Sequence, residues 1–302
     1  MEYEEMGITN KLNLPQPFVD AATNDHKYKH HRYSVTEVLG GTCEAVLKRR
    51  HAGEGEEDVA DSVWRILGSA VHKILEEAES TESQLQENWF SVPIGDNGYE
   101  LSGIFDLYDG DTHTVTDWKT CATWKIIFGD FEDWRKQTLM YCWMLRKLGL
   151  EAESGEIVAI MRDHNMRKAR TEKDYPPHPV YKIGWDFTYE DFDQIESDIM
   201  LWFSKVMHEE QLPDSKLTPC SPEQRWHKDD KWAVKKKGVK RAVRVYSSKQ
   251  DAYQRAAGEN MEAKGEPFYV EERRGEDTKC ESYCSVAEFC PYYRALMKDR
   301  EQ

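Results

Sequence analysis

The chain has 302 residues, 39% of them apolar and 12% aromatic, a composition that supports a buried core and excludes a largely disordered protein. Its net charge of -15 excludes a protein that coats nucleic acid nonspecifically, because such binding depends on Lys and Arg displacing counterions from phosphates. No apolar run reaches the roughly 18 to 20 residues of a membrane helix, and the N-terminus lacks a signal-peptide pattern, so a soluble, cytoplasmic protein is expected, with any contact to DNA being local.

Residues 1–32 are polar and carry His26, His30 and His31 without periodicity, the pattern of an arm leading into a fold. Ser34, with Glu37 three residues on, reads as a capping box that opens a helix continuing, broken at Gly40-Gly41, to Leu47. Val59, Val63, Ile66, Leu67, Val71, Ile74 and Leu75 then recur at helical spacing over residues 58–79. Strand alternation follows over 89–94, 99–107 and 112–118, with Gly and Asp turn signals between the runs. A helix over 131–148, a strand over 156–161 and a helix over 189–207 complete the series. This order predicts an α/β (α+β) fold, a mixed sheet flanked by helices, over residues 33–212.

The pattern resets near Leu212-Pro213. Residues 232–234 and 239–246 read as a hairpin turning at Lys237-Gly238, followed by a helix over 249–264 and a strand over 268–272. Residues 213–302 are thus expected to form a small ββαβ module with a Cys-rich tail.

The chemistry is concentrated in Gly103-Ile104-Phe105-Asp106-Leu107 and Val115-Thr116-Asp117-Trp118-Lys119-Thr120. Asp117 and Lys119 are two apart, so a strand points both to one face, and Asp106 can join them from the preceding strand. Hard cations such as Mg²⁺ or Mn²⁺ prefer oxygen ligands, and Asp106, Asp117 and the backbone carbonyl of Trp118 make an open oxygen site. Such an ion stabilises charge on a phosphate and activates water, with Lys119 placed to orient that water or offset developing charge.

Two further segments belong to the same pattern: Gly68-Ser69-Ala70-Val71-His72 on the early helix, and Gln137-Thr138-Leu139-Met140-Tyr141 on the helix after the strands. In order and spacing, the His helix, GxFD strand, DWK strand and QxxxY helix resemble the RecB-like branch of the PD-(D/E)xK nucleases, over residues 33 to 205. The resemblance implies a restriction-endonuclease-like fold, with His72, Asp106 and Asp117 as metal ligands, Lys119 as the catalytic lysine, and Gln137 and Tyr141 positioning the site or the strand. It further implies an exonuclease acting on DNA ends in recombination, repair or degradation, in a bacterial or phage-infected cell and with a possible recombination partner. Glu76 and Glu77 read as a solvated acidic helix face, with a role for Glu76 in supporting the site, from the same face as His72, as the alternative.

Cys280-x3-Cys284-x5-Cys290 crowds three thiols into one metal-binding run. Some RecB-like nucleases hold a 4Fe-4S cluster with three such cysteines after the core and one near the N-terminus, and this tail is similar to theirs. Cys43 matches that first position, while Cys220 sits in a Pro-Cys-Ser-Pro loop that would tie together the ends of the module. Zn²⁺ held by four thiolates is the alternative. Cys121 and Cys142 read as core residues. Lys235, Lys236, Lys237, Lys240, Arg241 and Arg244 form the dense basic patch of an acidic chain, either a grip on DNA phosphates or a solvated strand edge. No GxxxxGK[ST] string occurs, which excludes an ATP-driven motor of that type. The rival reading is a non-catalytic nucleic-acid-binding or scaffold protein that retains the nuclease fold.

Overall fold

The computed structural model describes residues 7–23, 28–265 and 267–300; His26 lies outside them. The chain divides into two units, Met1–Leu217 and Thr218–Gln302. No helix among the described residues is long and apolar enough to cross a membrane.

The first unit begins with more structure than an arm. Strand β1 (Ile8–Thr9) pairs in parallel with β3 (Glu57–Asp58), and helix α1 (Gln16–Ala22) starts behind Pro15. Phe18, Val19 and Ala22 bring an apolar stripe against Val59 and Ile66, a contact that local periodicity over so short a segment does not disclose. Strand β2 (Arg32–Ser34) leads into α2 (Val35–Val38), where Ser34 and Glu37 form the expected capping box, and α3 (Thr42–Arg50) follows the Gly40-Gly41 break. The long early helix is shorter than its apolar pattern suggests. Asp58 caps a single turn over Val59–Ser62 by accepting from the Ala60 N–H, and α4 (Val63–Glu76) begins only afterwards.

Strands β4 (Gln84–Ile94), β5 (Tyr99–Asp109) and β6 (Thr114–Cys121) form the expected succession, with Lys119 inside β6 rather than beyond it. The short helix α5 (Thr123–Phe128) precedes α6 (Glu132–Lys147), which returns the chain to β7 (Ser154–Met161). Helix α7 (Met166–Thr171) and strand β8 (Val180–Asp186) are additions to the sequence reading, and α8 (Tyr189–Glu209) closes the unit behind a Thr188–Asp191 capping box. Strand β8 escapes detection because its exposure alternates only between exposed and half-buried, so no clear apolar face marks it.

The sheet runs β2-β5-β6-β7-β8, with β4 also paired to β5. β2 with β5 and β6 with β7 are parallel, whereas β4–β5, β5–β6 and β7–β8 are antiparallel, giving the mixed sheet expected. Its core is built from Leu101, Phe105, Val115, Ile157 and Ala159 on strands, Met144 and Leu145 on α6, and Ile199, Phe203 and Val206 on α8. Full burial of each large aliphatic or aromatic side chain contributes roughly 1.5 to 3 kcal/mol.

The second unit, taken by itself, opens with β9 (His227–Lys228) and the three-stranded antiparallel sheet β11-β10-β12, in which β10 is Lys231–Lys236, β11 Arg244–Tyr246 and β12 Phe268–Arg273. Helix α9 (Lys249–Glu262) packs Ala252 and Ala256 on Val234, with Trp232, Tyr246, Phe268 and Val270 around them. The hairpin turns at Gly238, whose φ of 79° suits a residue without a Cβ. Strand β13 (Glu276–Asp277) pairs with β9, and helices α10 (Thr278–Ser282) and α11 (Pro291–Arg300) carry or follow the cysteine run.

Candidate active site

One edge of β5 is shared by two partners. Arg32, Tyr33 and Ser34 pair with residues 100–102, and β6 takes over only at Leu107, Tyr108 and Asp109. Between them the edge is open, and the Asp106 carboxylate fills the opening: its Oδ2 accepts from the Trp118 N–H at 2.6 Å. In an extended strand a residue's N–H and C=O point to the same edge, so the Trp118 carbonyl is also directed toward this opening.

Asp117 is buried beside it. Its Oδ2 is 2.6 Å from Lys119 Nζ but outside hydrogen-bonding geometry, and its Oδ1 accepts from Gln137 Nε2 at 3.2 Å. Burial pushes its carboxyl up to about 6, Lys119 opposes the shift and Asp106 adds to it.

His72 reaches the same place from α4, with Nδ1 3.0 Å from Asp106 Oδ1. That contact raises the imidazole pKa against the effect of its burial. The third member is Glu87, which sequence reasoning missed. The β4–β5 register is the same before and after it, so Glu87 stands opposite Asp106, yet its φ of 46° breaks the pairing there. Its Oε1 is 3.6 Å from His72 Nδ1, buried and without a hydrogen bond, and burial raises its pKa, with Asp106 adding to the shift. A left-handed conformation costs a residue other than Gly about 1 to 2 kcal/mol, and such strain concentrates at functional sites. The useful signal in the sequence is this Glu's register with Asp106, which requires strand pairing to read.

Ligand atoms of His72, Glu87 and Asp106 all lie within 4.8 Å of one another, the set of three or more possible ligands with that spacing among the described residues. A cleft of about 430 Å³, lined by Gly68, Ser69, His72, Lys73, Glu76 and Glu87, opens on it. Glu76 lies on that wall paired with Lys73 at 3.0 Å, and Glu77 is exposed. Carboxylate and imidazole donors, with the hydrogen-bond-free oxygens of Glu87 and Asp117, fit a hard divalent cation. A ligating imidazole must be neutral, so such a cation takes the place of the His72 proton.

Gln137 and Tyr141 occupy the buried face of α6, and Gln137 Nε2 lies 3.3 Å from the Tyr141 hydroxyl. Gly103 makes this approach possible, because a Cβ there would lie 2.7 Å from the Tyr141 ring. The GxFD glycine thus seats α6, and α6 holds Asp117.

In the second unit, burial pushes the Cys280 thiol up to about 12, with smaller effects of the neighbouring Cys284, Asp277, Cys220 and Cys290, although no three of these four thiols lie within 4.8 Å of one another. Cys43 is buried on α3 of the first unit, Cys121 and Cys142 are core residues, and none of the seven cysteines forms a disulfide. Asp277 organises the surroundings: it accepts from Tyr292 at 2.7 Å and bonds His227 at 2.8 Å, and Arg225, 3.2 Å away, also donates to the Cys220 carbonyl. Its burial alone would raise its pKa, and these partners outweigh that effect and hold it low.

The basic residues are less uniform than their spacing implies. Lys235 is mostly buried and paired with Glu271 at 2.7 Å, whereas Lys236 and Arg244 lie over Phe268 and Tyr246. Lys237, Lys240 and Arg241 occupy the exposed connection between β10 and β11.

No curated protein matches the sequence. Among solved structures, that of SSO0001 is similar at 16% identity, covering 70% of this chain and 89% of that one, with a TM-score of 0.45. An alkaline exonuclease (LHK-Exo) from Laribacter hongkongensis is similar at 11% identity, covering 60% and 90%, with a TM-score of 0.39. A phage related exonuclease from Haemophilus somnus 129PT is similar at 10% identity, covering 56% and 96%, with a TM-score of 0.27. The PD-(D/E)XK nuclease superfamily profile matches residues 25–291, nearly the whole of both units, and the chain belongs to that superfamily.

Proposed function

We propose that the protein is a Mg²⁺- or Mn²⁺-dependent deoxyribonuclease, an exonuclease acting on free DNA ends in recombination, repair or degradation. The observation that carries this reading is the convergence of His72, Glu87 and Asp106 beside the buried Asp117–Lys119 pair. His72, Glu87, Asp106, Asp117 and the Trp118 carbonyl would hold the cation, which supplies Lewis acidity toward the phosphate and a more acidic water. Lys119, partly exposed and 2.6 Å from Asp117, would place a positive charge beside the carboxylates, where it offsets charge developing on the phosphate or orients the nucleophile. Gln137 fixes the rotamer of Asp117, and Tyr141 holds Gln137.

The four C-terminal thiols would hold a second centre, a 4Fe-4S cluster, with Zn²⁺ as the alternative. The spacing of Cys280, Cys284 and Cys290, with Cys220 near enough to act on the Cys280 thiol, supports this reading. Anaerobically purified protein should be brown and contain iron; colourless protein containing zinc decides for the alternative. Of the basic residues, Lys236, Lys237, Lys240, Arg241 and Arg244 are the ones proposed to contact DNA, since Lys235 is held by Glu271.

The deciding experiment compares wild type with Asp117→Ala on end-labelled linear and circular DNA in Mg²⁺ or Mn²⁺. Wild type should degrade the linear molecule and the variant should not. Equal cleavage by both overturns the assignment and favours a non-catalytic DNA-binding protein.

A further inference from the structure

Two tryptophans stand beside the carboxylate cluster, one on α4 and one on β4, each more than half exposed at 54% and each beneath an arginine. Arg162 lies 4.3 Å from the Trp64 ring centroid, and Arg32 lies 4.9 Å from that of Trp89. Trp64 is on α4, one turn before Gly68, which lies against Thr120, the residue after Lys119. Arg162 extends from the end of β7, where its N–H donates to the Cys121 carbonyl. This pair therefore stands past the Lys119 end of β6, about 7 Å further along the strand. Trp89, on β4, pairs across the sheet with Ile104, which is exposed on β5 two residues before Asp106; because β5 and β6 are antiparallel, this is the same end of the ligand set as Lys119, approached from the β4 side rather than the β7 side.

An exposed Trp is a costly surface in an acidic protein, and two beside one polar cleft ask for a ligand with flat faces. The Arg162 guanidinium adds positive charge where a phosphate backbone would run, the Arg32 guanidinium is paired with Glu100 at 2.6 Å, and an arginine stacked on one face of a Trp leaves the opposite face for a base. Paired bases are stacked on each other and cannot use such faces, whereas the bases of an unpaired strand can. We propose that Trp64–Arg162 and Trp89–Arg32 are base-stacking sites that hold an unpaired DNA strand beside the metal ligands, at their Lys119 end, so the site prefers single-stranded or frayed ends to intact duplex. The proposal rests on the nuclease reading above.

The test is fluorescence anisotropy with end-labelled oligothymidylate and a matched blunt duplex, in Ca²⁺, using wild type, Trp64→Ala, Trp89→Ala and the corresponding Phe variants. Each Ala variant should bind the single strand about 5- to 100-fold more weakly, the duplex should be much less affected, and Phe should restore most of the loss. Wild type should lose affinity comparably for a strand with abasic residues near its end, and the Ala variants should show little further loss on that strand. The abasic comparison on wild type needs no variant to fold. Unchanged single-strand binding, equal losses for strand and duplex, or indifference to abasic residues overturns the proposal. Cleavage by wild type and Asp117→Ala is measured in parallel: if it depends on Asp117 while these effects are absent, the stacking sites alone fail.

Discussion

The Trp118 N–H donates to the Asp106 carboxylate at 2.6 Å, so a backbone donor that would otherwise join a strand partner is satisfied by a ligand of the candidate metal site. Asp106 is thereby locked in place by the strand that carries the other two residues of the motif, Asp117 and Lys119. Hydrogen bonds to charged acceptors contribute roughly 1.5 to 3 kcal/mol, and removing this carboxylate also leaves a partly buried N–H without its acceptor. Asp106→Ala should therefore abolish cleavage and also lower the melting temperature, whereas Asp106→Asn should lose activity with a smaller loss of stability. Thermal melts alongside the nuclease assay separate the two effects.

Asp117 should cost stability at neutral pH. Its folded-state pKa, about 6, lies above that of an unfolded Asp, so between these values the folded chain holds the extra proton. Stability from this residue is therefore full in acid and falls as pH rises through about 6. Asp117→Asn should match wild type near pH 4 and exceed it by about 2 to 3 kcal/mol at pH 8 in EDTA, while losing activity. Denaturant titrations over that range check it; a variant less stable than wild type at pH 8 contradicts the buried-charge account.

Glu87 trades backbone strain for a ligand. Glu87→Gln should weaken Mn²⁺ binding about 10- to 100-fold, a range typical of weakened metal-site contacts. Glu87→Gly should be more stable than Glu87→Ala by about 1 kcal/mol, because only Gly occupies a φ of 46° without penalty. Isothermal titration and thermal melts give the two readouts.

Gly103→Ala should act at a distance. The added methyl meets the Tyr141 ring, which displaces α6 and with it Gln137, at a cost of about 1 to 3 kcal/mol. The double variant with Tyr141→Leu should recover part of the stability, a coupling that a double-mutant cycle measures. Additive losses would mean that the two residues do not share this contact.

Asp277→Ala should empty the cysteine site. It severs the anchors from Tyr292, His227 and Arg225, and Arg225 in turn positions the Cys220 carbonyl. Bound metal per chain should fall well below the wild-type value, as measured by elemental analysis. Retention of full occupancy would assign Asp277 a purely structural role.

His72, Asp106, Asp117, Lys119, Gln137 and Tyr141 were legible because each sits in a short motif and the motifs occur in a fixed order along the chain. The structure brings all six together. Glu87 has no such local mark: its place opposite Asp106 comes from strand register, and its conformation from a break that no propensity encodes. The same limit hid β8, whose exposure alternates weakly, and the contacts of Phe18, Val19 and Ala22 with Val59 and Ile66. Charge density likewise overstated the basic hairpin, because it does not show that Glu271 lies across from Lys235.

The shared edge of β5 also has a mechanical meaning. Only three residue pairs, Leu107 with Thr116, Tyr108 with Val115 and Asp109 with Thr114, join β5 to β6. Glu87 and Asp106 ride on one side of this seam, Asp117 and Lys119 on the other. Together with the Trp118 N–H bond to Asp106, these few ties set the span between the two sets of oxygens, so the radius of a bound ion would be felt as a torque on the sheet. A small ion would draw the two sets of ligands together and a larger one would press them apart, and amide exchange at those three pairs should differ between Mg²⁺ and Ca²⁺.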